Sequence, residues 1–235
     1  MSKKEADKYI SNRFKFPIYI IEHENQVEFV KKAISQFNIL TALELGCGPG
    51  RVTRDITNVK KGLAIDSSEP MLNIAKSLKL SNWNFKKADV FKFKSVQKYD
   101  LIFTFRFIFH FNKGDREKIY SMIHKSLKKN GSLVFEARNK DVAGKIKSVV
   151  KFFLGKEKYK VYQKLYTHSE LVAELEKNGF KIIKSRGNIC NFWLETLISK
   201  VFYYIGFKQI GIKIIRNIEK NCNNPLSWTV LCEKK

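Results

Sequence analysis

The sequence predicts an α/β fold: a doubly wound, mostly parallel sheet of seven strands, interrupted by helical insertions. Three observations predict it. Short apolar runs alternate with amphipathic stretches from residue 38 to residue 138, the pattern of a parallel sheet covered on both faces. The first run ends in LELGCGPGRV, residues 43–52, which puts three glycines into five residues. Asp66 closes the second run about twenty residues further on, the spacing at which a strand-end carboxylate meets a ligand seated on a glycine turn.

Each element follows from a local signal. Residues 5–37 read as helical, with Val27, Val30, Ile34 and Phe37 at helical spacing. ILTALEL is a short buried strand that ends at the glycines, and RVTRDITNV is expected to open the next helix. GLAID is the second strand. SEPMLNIAKSL is a helix with Pro70 in its first turn, where a missing N–H costs nothing. WNFKKADVFKF contains a third strand ending near Asp89, and YDLIFTFRF is a fourth. KGDREKIYSMIHKSLKKNG is a helix with Gly131 as its stop signal, followed by the fifth strand, SLVFEAR. THSELVAELEKNGF is a helix opened by the capping-box pair Thr167 and Glu170 and ended by Gly179. FKIIKS and SWTVLCEK supply the sixth and seventh strands. One domain over 1–235 is expected: a helical cap at 1–37, a ligand-binding half at 40–137, and two insertions at 138–166 and 188–224.

Composition narrows the partners. Lys and Arg number 45 against 22 Asp and Glu, a formal charge of +23. That asks for an acidic partner: nucleic acid, an anionic membrane or a phosphorylated substrate. The chain is also crowded with Lys, Asn, Ile, Phe and Tyr, whose codons are A/T-rich, and its lysines are scattered rather than blocked. Genome composition is therefore an equal account of the charge. The first ten residues are polar, and no uncharged apolar run approaches a membrane span. A cytoplasmic protein is expected. Cys47, Cys190, Cys222 and Cys232 lie far apart without CxxC or Cys/His ligand spacing. Four reduced thiols and no metal site are the expectation.

The glycine turn points to a nucleoside. Gly46, Gly48 and Gly50 let main chain approach a ligand closely, and Asp66 stands where a carboxylate accepts from ribose hydroxyls. The dinucleotide fingerprint is G-x-G-x-x-G, whereas this turn is G-x-G-x-G with Pro49 between its last two glycines. Glu44 stands two residues before the first glycine, and Asp89 adds a further acid at the end of the third strand. No basic residue lies between the glycines. Those charges favour a cationic ligand over a diphosphate.

From Leu40 to Ala137 the chain resembles the class I S-adenosylmethionine-dependent methyltransferases, in their small-molecule, type-11-like branch. LELGCGPGRVT resembles the first motif of that family, GLAIDSSEPML the second, ADV the third and YDLIFTFRFIFHF the fourth. LKKNGSLVFEA resembles the helix–turn–strand that follows, with Asn130 in place of the usual Pro or Gly of the turn. The resemblance implies a Rossmann-like methyltransferase fold with its last strand antiparallel. It implies S-adenosyl-L-methionine as cofactor, held by Glu44, Gly46, Gly48, Gly50, Asp66, Met71, Asp89, Val90 and Phe105. Asp66 would take the ribose, Met71 would lie near the adenine, and Asp89 with the Val90 main chain would read it. Phe105 would lie near the methionine moiety.

The family's acceptor pocket borders the segment after the fourth strand, here TFRFIFHF. His110 is a candidate base, because imidazole titrates near neutral pH; packing is the competing role. Arg106, four residues earlier, is a candidate clamp for a carboxylate or phosphate, or the partner of a carboxylate within the protein. The two share a face if the segment turns helical. His23, His124 and His168 receive no role. Tyr9 and Arg13 either fold over the cofactor or serve as helix surface. In the later insertion Phe192, Trp193, Leu197, Val201 and Tyr204 line one helix face, Ile210, Ile214, Ile215 and Ile218 another, with Lys200, Lys208, Lys213 and Arg216 between. Such faces pack on the sheet as a lid, sit on an anionic membrane or take a lipid-linked acceptor, or contact nucleic acid. The expected function is methyl transfer to an oxygen or nitrogen of a small or lipid-linked metabolite. The alternatives are a tRNA or rRNA methyltransferase and a non-catalytic cofactor-binding subunit.

Overall fold

The computed structural model describes residues 14–154 and 161–235; Tyr9, Arg13 and the start of the expected N-terminal helix lie outside them. Helix α1 spans Pro17–Gln36. Strand β1 (Thr41–Leu45) runs into the glycine turn and is followed by β2 (Lys61–Asp66), α2 (Glu69–Ser77), β3 (Trp83–Lys87) and β4 (Tyr99–Thr104). Then come α3 (Lys113–Ser126), β5 (Leu127–Asn139), α4 (Lys140–Leu154), β6 (Leu165–Tyr166) and α5 (His168–Lys177). Strand β7 (Phe180–Asn188), α6 (Phe192–Tyr204), α7 (Lys208–Ile218) and β8 (Ser227–Lys234) complete the order.

The sheet runs β3-β2-β1-β4-β5-β8-β7, with the two-residue β6 beside β5. That is eight strands rather than seven. Strands β1 to β5 pair in parallel, and β8 enters antiparallel between β5 and β7. The order reverses between β1 and β4, and ligands in open sheets sit at such a switch point, outside the carboxyl ends of the strands. Strand β1 is apolar on both faces because both are covered. Leu43 and Leu45 join the cluster that includes Tyr99, Tyr120 and Phe135, while Ala42 joins the opposite one with Val30, Leu101 and Phe103. The capping box at the start of α5 is formed by Thr167 and Glu170 as expected, and Gly179 follows the helix with φ +80°.

Two local expectations are corrected. RVTRDITNV makes only a 3-10 turn, Thr53–Asp55. β-Branched residues crowd this stretch, and its carbonyls find other donors. Trp83 Nε1 donates to Ile56 O at 2.7 Å, and the Asn82 amide donates to Thr57 O and Val59 O. Gly131 is not a helix stop. Helix α3 ends at Ser126, and Gly131 lies inside β5. Lys234 Nζ donates to the His124 and Leu127 carbonyls at 2.7 and 3.3 Å, so the last turn of α3 is satisfied by a side chain from β8.

The cysteine expectation is corrected as well. Cys190 and Cys222 form a disulfide with their Cα atoms 5.0 Å apart, while Cys47 and Cys232 are buried thiols. The α6–α7 hairpin folds back on itself and brings its two ends together, which the separation of 32 residues hides in the sequence. Closing a loop of that length restricts the unfolded chain by about 3–4 kcal/mol in the entropic account. Alkylation of the native protein without reductant is expected to label no cysteine readily. After mild reduction two are expected to react, read by mass spectrometry of the peptides carrying Cys190 and Cys222, with a lowered melting temperature.

Candidate active site

At the switch point the chain leaves β1 through three glycines in the left-handed region, Gly46, Gly48 and Gly50, at φ +64°, +55° and +74°. A side chain at Gly46 would put its Cβ 2.6 Å from the Phe107 ring, whereas at Gly48 nothing lies within 4 Å. The Gly46 main chain therefore packs under Phe107, and the Gly48 main chain faces open space. That space is a cleft of about 250 Å³, lined among others by Glu44, Asp66, Met71, Phe105, Arg106 and Phe107. Asp66, at the end of β2, fixes the turn. Its Oδ2 accepts from Gly48 N and its Oδ1 from Ser68 N, each at 2.8 Å.

A buried polar layer underlies the cleft. Glu44 accepts a short hydrogen bond from Thr53 Oγ1, and burial pushes its carboxyl up to about 8 against the opposing pull of Thr53 and Arg51. Arg51 donates to Gln26 Oε1 at 2.6 Å and contacts His23 Nδ1 at 2.8 Å. Guanidinium only donates, so Nδ1 accepts and the opposite nitrogen, Nε2, donates to Asp55 Oδ2 at 2.8 Å. Burial and the Arg51 charge bring His23 down to about 4, so it is neutral and orients Arg51.

A second cavity, of about 450 Å³, lies next to the first, and Arg106 lines both. Arg138 and Lys200 add positive charge to its wall, Glu22 a carboxyl group, and Phe16, Tyr19 and Phe192 aromatic surface. Arg138 lies 3.5 Å from Glu136 and 5.5 Å from the Phe109 ring centroid. Arg106 has φ +55°, a conformation that costs a non-glycine residue about 1–2 kcal/mol. It turns the chain at the rim of the 250 Å³ cleft.

The expected sharing of one helical face by Arg106 and His110 is corrected. Only a 3-10 turn, Ile108–His110, forms there, because the left-handed residue at 106 breaks any helix before it starts. His110 lines neither cavity. Its Nδ1 lies 3.1 Å from the Tyr162 carbonyl oxygen, which only accepts, so Nδ1 carries the proton and Nε2 keeps its lone pair. Burial lowers its pKa, and the Arg106 and Arg138 charges add to that.

Asp89 and Val90 are not brought into the cleft. Asp89 is exposed and caps its own turn, accepting from Phe91 N at 3.0 Å. Val90 packs into the core. Both stand close to Asp66 along the strand ends, since Ala88 N donates to Asp66 O at 3.0 Å. Sequence reasoning missed Arg51, Thr53, Ser68 and Phe107. Arg51 and Thr53 belong to RVTRDITNV, which reads as the opening of a helix and gives no reason to look inward.

The sheet order, the switch-point cleft, its left-handed glycines and its strand-end carboxylate make up the class I methyltransferase fold. Comparison with known proteins agrees. Residues 42–131 match the family described as methyltransferase domain. An uncharacterized protein of Methanocaldococcus jannaschii is 25% identical over 89% of this chain and 88% of its own length. Trans-aconitate 2-methyltransferase of Agrobacterium fabrum is 41% identical over 28% of this chain and 27% of its own length. The crystal structure of magnesium protoporphyrin IX methyltransferase from Synechocystis with bound S-adenosylhomocysteine superposes with a TM-score of 0.64 at 15% identity, covering 93% of this chain and 86% of that one. Residues 42–131 thus match a methyltransferase domain, and the chain has the fold of the S-adenosylmethionine-dependent methyltransferases.

Two outcomes follow for the cleft. Gly48→Ala is expected to fold, losing about 1–2 kcal/mol to the left-handed backbone, and to weaken cofactor binding at least about tenfold in calorimetry. Gly46→Ala drives its Cβ into Phe107 and is expected to lower the melting temperature more than Gly48→Ala does. The second outcome is a pH dependence. The folded chain holds the Glu44 proton up to about pH 8, while the unfolded chain releases it in the ordinary carboxylate range. Stability from this residue is therefore full at low pH and lost as pH rises towards 8. Glu44→Gln keeps an acceptor for Thr53, and its melting temperature is expected to gain on the wild type steadily between pH 5 and pH 8.5.

Proposed function

We propose that the protein transfers the methyl group of S-adenosylmethionine to an oxygen or nitrogen of a small or lipid-linked acceptor that enters the 450 Å³ cavity. The observation that carries this reading is Arg106, which lines that cavity and the cofactor cleft together. An acceptor held by Arg106 lies next to the wall behind which the cofactor binds.

The cleft residues suit the cofactor. Gly48 offers main chain without a side chain, Asp66 offers carboxylate lone pairs beyond those taken by Gly48 N and Ser68 N, and the Phe105 and Met71 side chains offer apolar contact. Bound there, the cofactor supplies an activated methyl on a sulfonium. The protein's share is positioning and charge. Arg106 and Arg138 orient an acidic group of the acceptor, and the apolar wall around Phe16, Ile18 and Phe192 excludes water. A carboxylate or neutral amine needs no base. A hydroxyl or ammonium does, and since His110 lies outside both cavities, a carboxylate or neutral amine is the acceptor group we favour.

The test has two stages. Calorimetry with S-adenosylmethionine is expected to show binding that Asp66→Ala weakens at least about tenfold. Methyl-labelled cofactor is then incubated with cell extract and the products separated. Label in the small-molecule or lipid fraction, lost in Arg106→Ala, is the expected result. Label in RNA would replace this reading by an RNA methyltransferase. Tight cofactor binding with label in no fraction would replace it by a non-catalytic subunit.

A further inference from the structure

Helix α6 is inside out. Its buried residues are Glu195 and Ser199. Ser199 Oγ accepts from Ile18 N at 2.8 Å, and Glu195 Oε1 accepts from Asn191 N at 2.8 Å. Trp193, Leu197, Val201 and Tyr204, one turn apart along the opposite face, are exposed, Leu197 by 61% and Tyr204 by 72%. The stripe continues through Ile205 and Phe207 at the tip of the hairpin, and Ile210 and Ile214 extend it along α7. The inner side of α7 is ordinary, with Ile212 and Ile215 packed beside Ile18 and Ile21 of α1. An amphipathic helix buries its apolar stripe, so a stripe presented outward calls for something to cover it.

Charge says what. Between residues 192 and 220 the cations are Lys200, Lys208, Lys213, Arg216 and Lys220, and the only acids are Glu195 and Glu219. Both acids are buried. Burial raises the pKa of each, and the neighbouring Glu219 charge raises Glu195 further. Lys208 donates to Phe14 O at 2.8 Å and Arg216 pairs with Glu24 at 2.8 Å, while Lys200, Lys213 and Lys220 are exposed. The outer surface of the hairpin is apolar and basic. Among the described residues no helix is long and apolar enough to cross a membrane.

We propose that the α6–α7 hairpin seats the protein on the surface of an anionic lipid bilayer, its aromatic stripe at the headgroup boundary and its lysines on lipid phosphates. The face is continuous with the acceptor cavity, because the same helix sends Phe192, Thr196, Ser199 and Lys200 into the wall of that cavity. The proposal extends the reading of a lipid-linked acceptor but is tested without any methyl transfer.

The full chain is sedimented with vesicles of phosphatidylcholine containing phosphatidylglycerol, and with vesicles of phosphatidylcholine alone. Binding to the anionic vesicles, weakened by salt, is expected. Trp193 is the most exposed tryptophan, with Trp83 buried and Trp228 partly so. Fluorescence is expected to shift to the blue on binding, and Trp193→Phe to remove that shift. The double substitution Leu197→Asp with Val201→Asp, at exposed positions, is expected to weaken vesicle binding at least about tenfold, as is Lys213→Glu with Lys220→Glu, each with cofactor affinity and melting temperature unchanged. Failure to bind anionic vesicles overturns the proposal, as does equal binding by the aspartate variant. A dimer in light scattering, or RNA retention on filters, that the same substitutions abolish would assign the face to that occupant and overturn it too. Unchanged cofactor binding in any of these cases leaves the methyltransferase reading standing.

Discussion

The interaction on which the site depends is the grip of one carboxylate on two turns. Asp66 closes β2 and holds Gly48 N and Ser68 N, one on each oxygen. Without it the left-handed run through Gly46, Gly48 and Gly50 has no fixed place, since glycine loses more freedom on ordering than any other residue. The grip is possible because β1 and β2 pair in register as far as Leu45 and Ile65, so both chains leave the sheet side by side. Cys47 N then donates to Ile65 O at 3.0 Å and carries the pairing past the last strand residue. Sheet register sets the position of the turn, and the carboxylate sets its conformation.

Beneath that turn lies a layer of polar groups that a core would not tolerate unpaired. Glu44 points away from water and holds Thr53, and Arg51 is threaded between His23 and Gln26. The layer ties α1 to the glycine loop. Since Arg51 lines the cleft, the N-terminal helix is mechanically part of the cleft wall. Its histidine is neutral because the adjacent guanidinium and burial disfavour a second charge. A network of this kind fixes one arrangement of the loop, because every rearrangement leaves a buried donor or acceptor without its partner.

Much of this was legible in the sequence. Apolar runs separated by amphipathic helices dictated a mostly parallel sheet covered on both faces. Thr167, Glu170 and Gly179 marked α5 because capping is local chemistry, encoded within four residues. What remained hidden was set at a distance. The β-branched residues after Arg51 looked like a helix face, and only Trp83 and Asn82, from another strand, turn them into a loop. Arg106 read as a helical neighbour of His110, but its positive φ breaks the segment between them. Cys190 and Cys222 looked unrelated until the intervening helices doubled back. Tertiary placement of side chains decided each of these, and short-range pattern carries no trace of it.

The later insertion shows how a helix can afford an outward apolar stripe. Helix α6 contributes few apolar groups to the core, so burial alone does not explain its placement. It is held instead by polar ties. Asn191 caps it by accepting from Leu194 N at 3.3 Å, Ser199 takes the amide of Ile18, and Glu219 at the end of α7 accepts from Cys190 N and from the Asn25 amide at 2.9 Å each. The disulfide closes the base of the same loop. Covalent and hydrogen-bonded fastening at the base does the work that a hydrophobic face does elsewhere. The apolar residues along the hairpin are thereby released from holding the fold. Their exposure is then a property of the surface rather than a defect of packing, and a helix fastened by its polar side can exchange partners on its apolar side without unfolding.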